Sequence, residues 1–418
     1  YGFGLAYPEG AGLARQPRAA AAGRQCEAMP TQAVAGTAGA GGAMVPATLA
    51  SLTHASEAVV VGTVTGFRGC LDADTDSIVT EITLAVERGV KAPVPVAPGT
   101  ELTFDVPGGR YGGYLLAVGT SPEFAAGERV VVFLRRAVAG SLRLTEDHQG
   151  KFSVTPAGTI ARIGMSLDAF AARVKQAENG TLPASGDPLA PGPIRGAQSA
   201  YLTFASWAAA DIPVSYFINS SASRPAQLSA AQTENAFNNA FDAWENDPGS
   251  TIAFTFAGNT TRLSGADGCP GFDGNNDLTW GIADPEHGAG TLAITYACYT
   301  AITLKLLDAD IEFDTDHFGA NWRVDGSGAC ATGLFDLETV ALHEEGHFIG
   351  LGHPSANSCT FNTNGNCPVM NAFYGGVQRS LCQDDRDGAA ALYAGGPPAV
   401  GGVAEAPDAS VLASAQGG

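Results

Sequence analysis

A chain of 418 residues is long enough for two or three domains, each burying its own core. Its formal charge of −20 argues against a nucleic-acid partner, because phosphate binding needs a basic face. It has no apolar run of the roughly 20 residues that span a bilayer, so no transmembrane segment is expected.

Residues 1–45 are rich in Ala and Gly, show no periodicity and read as a disordered N-terminal segment. A β pattern follows over 46–160. Runs rich in β-branched residues lie at 57–65, 77–88, 101–106 and 129–136, with shorter ones at 141–145 and 151–154. Alternation from Thr80 to Val86 implies strands with one wet face, so this part is predicted to be a small all-β barrel or sandwich. Its strand order, with Val59-Val60-Val61-Gly62-Thr63-Val64 first and Gly127-Glu128-Arg129-Val130-Val131-Val132-Phe133-Leu134 near the end, resembles the OB-like netrin module of tissue metalloproteinase inhibitors. Residues 161–200 read as a short helix (166–178) and a Pro/Gly-rich linker.

A second domain is predicted over 201–395, followed by a flexible tail, 396–418. Ser229 and Gln232 form a capping box that opens a helix to about Asn246, with Phe237, Ala240, Phe241 and Trp244 on its core face. Strands are expected at 211–218, 251–256, 291–296 and 305–313, and a last helix at about 385–394. The acidity concentrates here, with 23 Asp/Glu against 6 Lys/Arg between 201 and 395. Two readings fit: a solubilising surface for an exported protein, or calcium sites built from clustered oxygens. Eight cysteines, none in a CxxC pair, read as disulfides in an oxidising compartment, so the protein is expected to be secreted or in the cell envelope. Cys359 and Cys367 are the easiest local pair; the sequence leaves the other pairings open.

The chemistry sits in the stretch from Asp336 to His353. Asp336 is a good N-cap, and Leu337, Val340 and Ala341 supply an apolar face. His343 and His347 are four apart, so both imidazoles reach one ion from one helix face, with Glu344 beside it as a base for a bound water. Gly350 permits a left-handed turn that returns His353 as third ligand. Three neutral imidazoles leave a fourth position open, the mark of a catalytic rather than a structural zinc.

HExxHxxGxxH followed by Met370 is the metzincin signature. Within that class residues 203–393 resemble the matrixins, the family of the matrix metalloproteinases. Phe335-Asp-Leu-Glu-Thr-Val-Ala-Leu-His-Glu344 is similar to the matrixin active-site helix, and Asp308–Asp314 to the strand before it. The resemblance implies an α+β fold, a twisted mixed sheet with an active-site helix, and a secreted, monomeric zinc endopeptidase acting on peptide or protein substrates. It implies His343, His347 and His353 as zinc ligands and Glu344 as general base. Met370 would pack beneath the metal, Tyr374 would lie in the S1′ wall, and the strand carrying Leu292, Ala293 and Ile294 would align substrate. Asp314 and Asp316 are candidate calcium ligands. Glu345 replaces the apolar residue usual after the catalytic Glu and is expected to face solvent or pair locally; His54, His148, His287 and His317 are expected to be surface or loop residues. The family's cysteine-switch motif is absent, so latency is open. Two alternatives to a working peptidase are a zinc-holding binding module and an enzyme kept latent by its β domain.

Overall fold

The computed structural model describes residues 24–29, 43–72, 77–91, 98–137, 140–183, 201–220, 224–262, 269–281, 290–315, 317–328, 333–353 and 368–394. Cys330, Cys359, Cys367 and Asp316, the 184–200 linker and the C-terminal tail lie outside them, and with them the proposed Cys359–Cys367 pair and half of the calcium reading.

The segment expected to be disordered carries structure in two places. Strand β1 (Gln25–Ala28) pairs antiparallel with β2 (Ala58–Asp72), and a Cys26–Cys70 disulfide joins the two. Residues 43–45 run through the second domain and are described below. Between them and β2 lies a helix that the sequence reading missed, α1 (Leu49–Ala55), opened by a Thr48/Ser51 capping box.

Strand β2 pairs with β3 (Ser77–Lys91), which pairs with β4 (Glu101–Pro107). A hairpin follows, β5 (Gly109–Tyr111) and β6 (Tyr114–Val118). Strand β7 (Arg129–Arg136) returns to pair with β2, and β8 (Leu142–Leu144) touches β4 in parallel while pairing with β7. The order β2-β3-β4-β8-β7-β2 closes a five-stranded barrel rather than a sandwich. Period-two alternation explains its two cores. Val60 and Val64 point inward onto Ile82, Phe104 and Val132; Val59 and Val61 point outward, where α1 and α2 (Leu167–Glu178) bury them with Phe133, Phe152 and Phe170. Strand β9 (Lys151–Ser153) adds to β7.

In the second domain β10 (Val214–Ile218) is followed by α3 (Ala230–Glu245), which starts at the Ser229/Gln232 capping box. All four expected core residues of α3 are buried. Strands β11 (Phe254–Asn259), β12 (Asn276–Trp280), β13 (Ala293–Thr300) and β14 (Leu306–Phe313) complete a sheet ordered β11-β10-β12-β14-β13. It is parallel except for β13, which runs antiparallel to β14. Helix α4 (Leu337–Phe348) packs on β13 and β14 and against α3, where the Trp244 indole donates to the Leu342 carbonyl at 2.9 Å. Helix α5 (Gln383–Leu392) closes the domain. The mixed sheet with its central helix is the α+β arrangement expected.

The two domains share one sheet. Strand β6 of the barrel pairs antiparallel with β13, from Tyr296↔Val118 to Thr300↔Tyr114, making seven strands in all. Leu116, Val118 and Ile78 of the first domain are buried against Ile294 and the Cys269–Cys298 disulfide of the second. An unpaired edge strand is a template for another chain; here the chain itself supplies the partner.

Candidate active site

Helix α4 begins at Asp336, whose carboxylate accepts from Thr339 N–H at 3.0 Å and takes a two-pronged contact from the Arg379 guanidinium. The helix ends at Ile349, and Gly350 follows at φ +98°. A Cβ at Gly350 would overlap the Ala205 backbone carbonyl, so only glycine allows the turn that brings Leu351–His353 back under the helix.

That turn gathers three imidazoles. Nε2 of His343 lies 3.1 Å from Nε2 of both His347 and His353. Nδ1 of His343 bonds the Val369 carbonyl at 2.7 Å, and Nδ1 of His347 the Leu351 carbonyl at 2.7 Å. A carbonyl only accepts, so both protons sit on Nδ1 and the two Nε2 lone pairs face the centre. Burial pushes His343 down to about 4 and His347 and His353 well below the usual range, so all three rings are neutral. Lone pairs 3.1 Å apart with no proton between them repel. A shared cation removes that conflict, since two nitrogens on a tetrahedral ion with bonds of about 2.0–2.1 Å sit roughly 3.3 Å apart. The donor set therefore fits a zinc ion, and no other cluster of ligating side chains occurs among the described residues.

Glu344, next to His343 on the helix, is wholly buried. Its Oε2 accepts from the Thr295 hydroxyl at 2.8 Å and its Oε1 from the backbone N–H of Ala43 at 2.8 Å. Burial pushes the carboxyl up to about 8 against the opposing effect of these donors. Thr295 was not among the residues the sequence pointed to; its signal is a hydroxyl on the same strand face as Ala293, inside an otherwise apolar run. Met370 is buried where α4 has Gly346, at which a Cβ would overlap the Met370 thioether. The backbone around Met370 is held by another residue the reading missed, Asp385 of α5, which accepts from Val369, Met370 and Cys382 N–H at 2.9, 3.3 and 2.8 Å.

Residues 43–45 lie in the groove between the two rims of the site. On the upper rim Leu292 N–H donates to Ala43 O at 2.8 Å and Val45 N–H to Gly290 O at 2.7 Å. On the lower rim Met44 N–H donates to Ala372 O and Tyr374 N–H to Met44 O, both at 3.0 Å. The segment is antiparallel to the upper rim and parallel to the lower. Of the expected substrate residues, Leu292 and Tyr374 thus meet this peptide through their backbones. Ala293 and Ile294 are buried within the sheet, Ile294 against the β5–β6 hairpin. The Tyr374 hydroxyl accepts from Asp336 N–H at 3.0 Å, and its ring lies edge-on to Phe335. A cavity behind Ala43 is lined by Val340, His343, Val369 and Tyr374.

Of the other residues singled out in the sequence, one departs from its expected setting. His148 lies in the turn Asp147–Gly150, as expected of a loop residue, and packs its ring on Phe373 of the lower rim at 5.7 Å. His317 is an exposed turn residue, as expected, and pairs with Asp314, whose carboxylate also accepts from His317 and Phe318 N–H at 2.8 and 3.0 Å. Asp314 thus caps its own turn. Glu345 neither faces solvent nor pairs locally: it is wholly buried, with no hydrogen-bond partner for either oxygen among the described residues. Burial raises its pKa well above the carboxylate range, so the folded state holds a proton that the unfolded chain releases. Stability contributed by that proton falls as pH rises from the ordinary carboxylate range, at up to about 1.4 kcal/mol per unit. Glu345→Leu is expected to be more stable than the native protein, with a larger gain at pH 7 than at pH 5 in urea unfolding. Equal gains at both pH values would show that the carboxylate is not protonated.

A mixed sheet, a helix bearing two histidines and a glutamate, a glycine turn to a third histidine and a methionine packed on that helix at Gly346 define a metzincin-type peptidase domain. Residues 206–394 match the matrixin family of peptidases, and this part of the chain is a matrixin-like metzincin domain. The chain is 28% identical over 203 residues to karilysin of Tannerella forsythia, covering 46% of this chain and 34% of that protein. It is 32% identical over 135 residues to metalloendoproteinase 5-MMP of Arabidopsis thaliana, 30% of this chain and 34% of that one. It is 35% identical over 96 residues to human matrix metalloproteinase-25, covering 22% and 14% respectively. The chain spans about a third or less of the length of these relatives.

Proposed function

We propose that the protein is a secreted zinc-dependent endopeptidase that hydrolyses peptide bonds in protein substrates, with His343, His347 and His353 holding the ion and Glu344 as general base. The observation that carries this reading is the convergence of three neutral imidazoles beside a buried carboxylate. Zinc bound there would acidify a water to a pKa of about 7 and polarise the scissile carbonyl. Glu344 takes the proton of the attacking water and delivers it to the leaving nitrogen; the Ala43 nitrogen, 2.8 Å from Oε1, marks where that nitrogen sits. The Thr295 hydroxyl fixes the other carboxylate oxygen and so aims the base. Gly290, Leu292, Ala372 and Tyr374 offer the backbone groups that align an extended peptide. The two disulfides among the described residues suit an oxidising compartment, and no helix among those residues is long and apolar enough to cross a membrane.

The purified chain is expected to contain one zinc by metal analysis. Hydrolysis of denatured casein by its Met44→Pro/Val45→Pro variant, whose cleft is freed as argued below, is expected to stop on chelation and return with zinc. A protein that holds no zinc, or whose hydrolysis survives metal removal, would overturn the assignment.

A further inference from the structure

The cleft is filled by this chain. Ala43 N–H points at the carboxylate that delivers a proton to a leaving nitrogen, and the peptide runs on from there through Met44 and Val45. Residues beyond the leaving nitrogen are the primed residues of a substrate, so Ala43, Met44 and Val45 stand in P1′, P2′ and P3′. All four backbone bonds at the two rims follow that alignment, with substrate polarity throughout.

The segment is held by the β domain from two further sides. The Gln149 amide donates to Val45 O at 3.2 Å and accepts from Ala47 N–H at 2.6 Å, clamping the peptide as it leaves the cleft. Its neighbour Glu146 accepts from Gly290 N–H at 3.0 Å, tying the same turn to the upper rim. Strand β6 covers the rest of the edge, and Gly119 N–H reaches Thr295 O at 3.2 Å. These contacts use sheet-edge groups and cleft groups at once.

Resting on the peptidase reading, we propose that the N-terminal β domain is an intramolecular inhibitor: it lays residues 43–45 along the primed side of the cleft and keeps the full chain latent toward other substrates. A tethered peptide competes at an effective concentration in the mM range. A segment that holds the cleft with a dissociation constant of about 10 µM then slows turnover of a substrate supplied below its KM by roughly 100-fold.

The full chain is compared with its Met44→Pro/Val45→Pro variant, which loses the amide donors to Ala372 O and Gly290 O while leaving every residue of the metal and base site in place. Gln149→Ala, outside the cleft, loosens the same segment should the double variant fold poorly. Two readouts are taken: hydrolysis of denatured casein, and, in Glu344→Ala forms of each protein, binding of a fluorescein-labelled casein peptide by anisotropy. The double variant is expected to hydrolyse casein roughly 100-fold faster than the full chain. Gln149→Ala is expected to fall between them, and the peptide is expected to bind only the loosened proteins. Equal rates and equal peptide binding in all three would overturn latency while leaving the peptidase reading intact. Peptide binding confined to the loosened proteins without any hydrolysis would uphold the blocked cleft and overturn the peptidase reading. Binding to none of them counts against latency, since freeing the cleft would then expose no peptide site.

Discussion

Glu344→Ala is expected to reduce peptide hydrolysis by about 10²–10⁴-fold while the protein keeps one zinc, because a positioned base contributes rate enhancement of that order. Metal retention follows from what orients the ligands. His343 and His347 are fixed by the Val369 and Leu351 carbonyls, not by Glu344. Stability should hold or improve, because the variant removes a buried carboxyl whose desolvation pushes it up to about 8. The comparison is made in the Met44→Pro/Val45→Pro background, so that cleft occupancy does not mask the rate, with kcat/KM on a quenched peptide and zinc content on the same samples. A variant that keeps more than a tenth of the rate would remove Glu344 from the role of base. One that loses both zinc and rate would make it a structural support of the metal site instead.

Gly350→Ala is expected to be the most damaging small substitution in the catalytic domain. Leaving the left-handed region to glycine avoids a penalty of roughly 1–2 kcal/mol for an L side chain, and overpacking adds typically 1–3 kcal/mol. The obstacle is the Ala205 carbonyl, which cannot rotate away as a side chain would, and the Gly350 carbonyl itself accepts from Phe204 N–H at 2.9 Å. A combined loss of about 2–5 kcal/mol lowers the melting temperature of a domain of this size by on the order of 10 °C. His353 lies three residues on, so zinc affinity should fall with it. Calorimetry with a zinc titration checks both; an unchanged melting temperature would mean that the turn relaxes without strain.

What the sequence made legible was whatever is encoded locally. The Ser229/Gln232 box and the Asp336 cap mark helix starts because side chain and backbone satisfy each other within four residues. The histidine spacing is legible because the helix turns it into an angle. Glu345 was misjudged because periodicity assumes that a helix has a wet face. Helix α4 is enclosed by β13, β14, α3 and the Met370 turn, and nearly all of its residues are buried. The turn at Gly112-Gly113 was a hairpin signal that the reading passed over. Nothing local could reveal residues 43–45: Ala-Met-Val takes its conformation here from rims about 250 and 330 positions away. Thr295 and Asp385 were hidden for the same reason, since their partners come from other elements.

The bridge between Cys26 and Cys70 changes what a nick in the chain would accomplish. Residues 30–42 connect β1 to the peptide in the cleft, and β1 is also bonded through sulfur to β2. Hydrolysis anywhere along that connection adds one water and removes nothing: the leading piece stays on the barrel as a separate, covalently attached strand. On a non-reducing gel the protein would look whole, and only a thiol would shed the fragment. A clipped molecule in an oxidising medium thus keeps its full complement of residues, and its processing history is visible only after reduction.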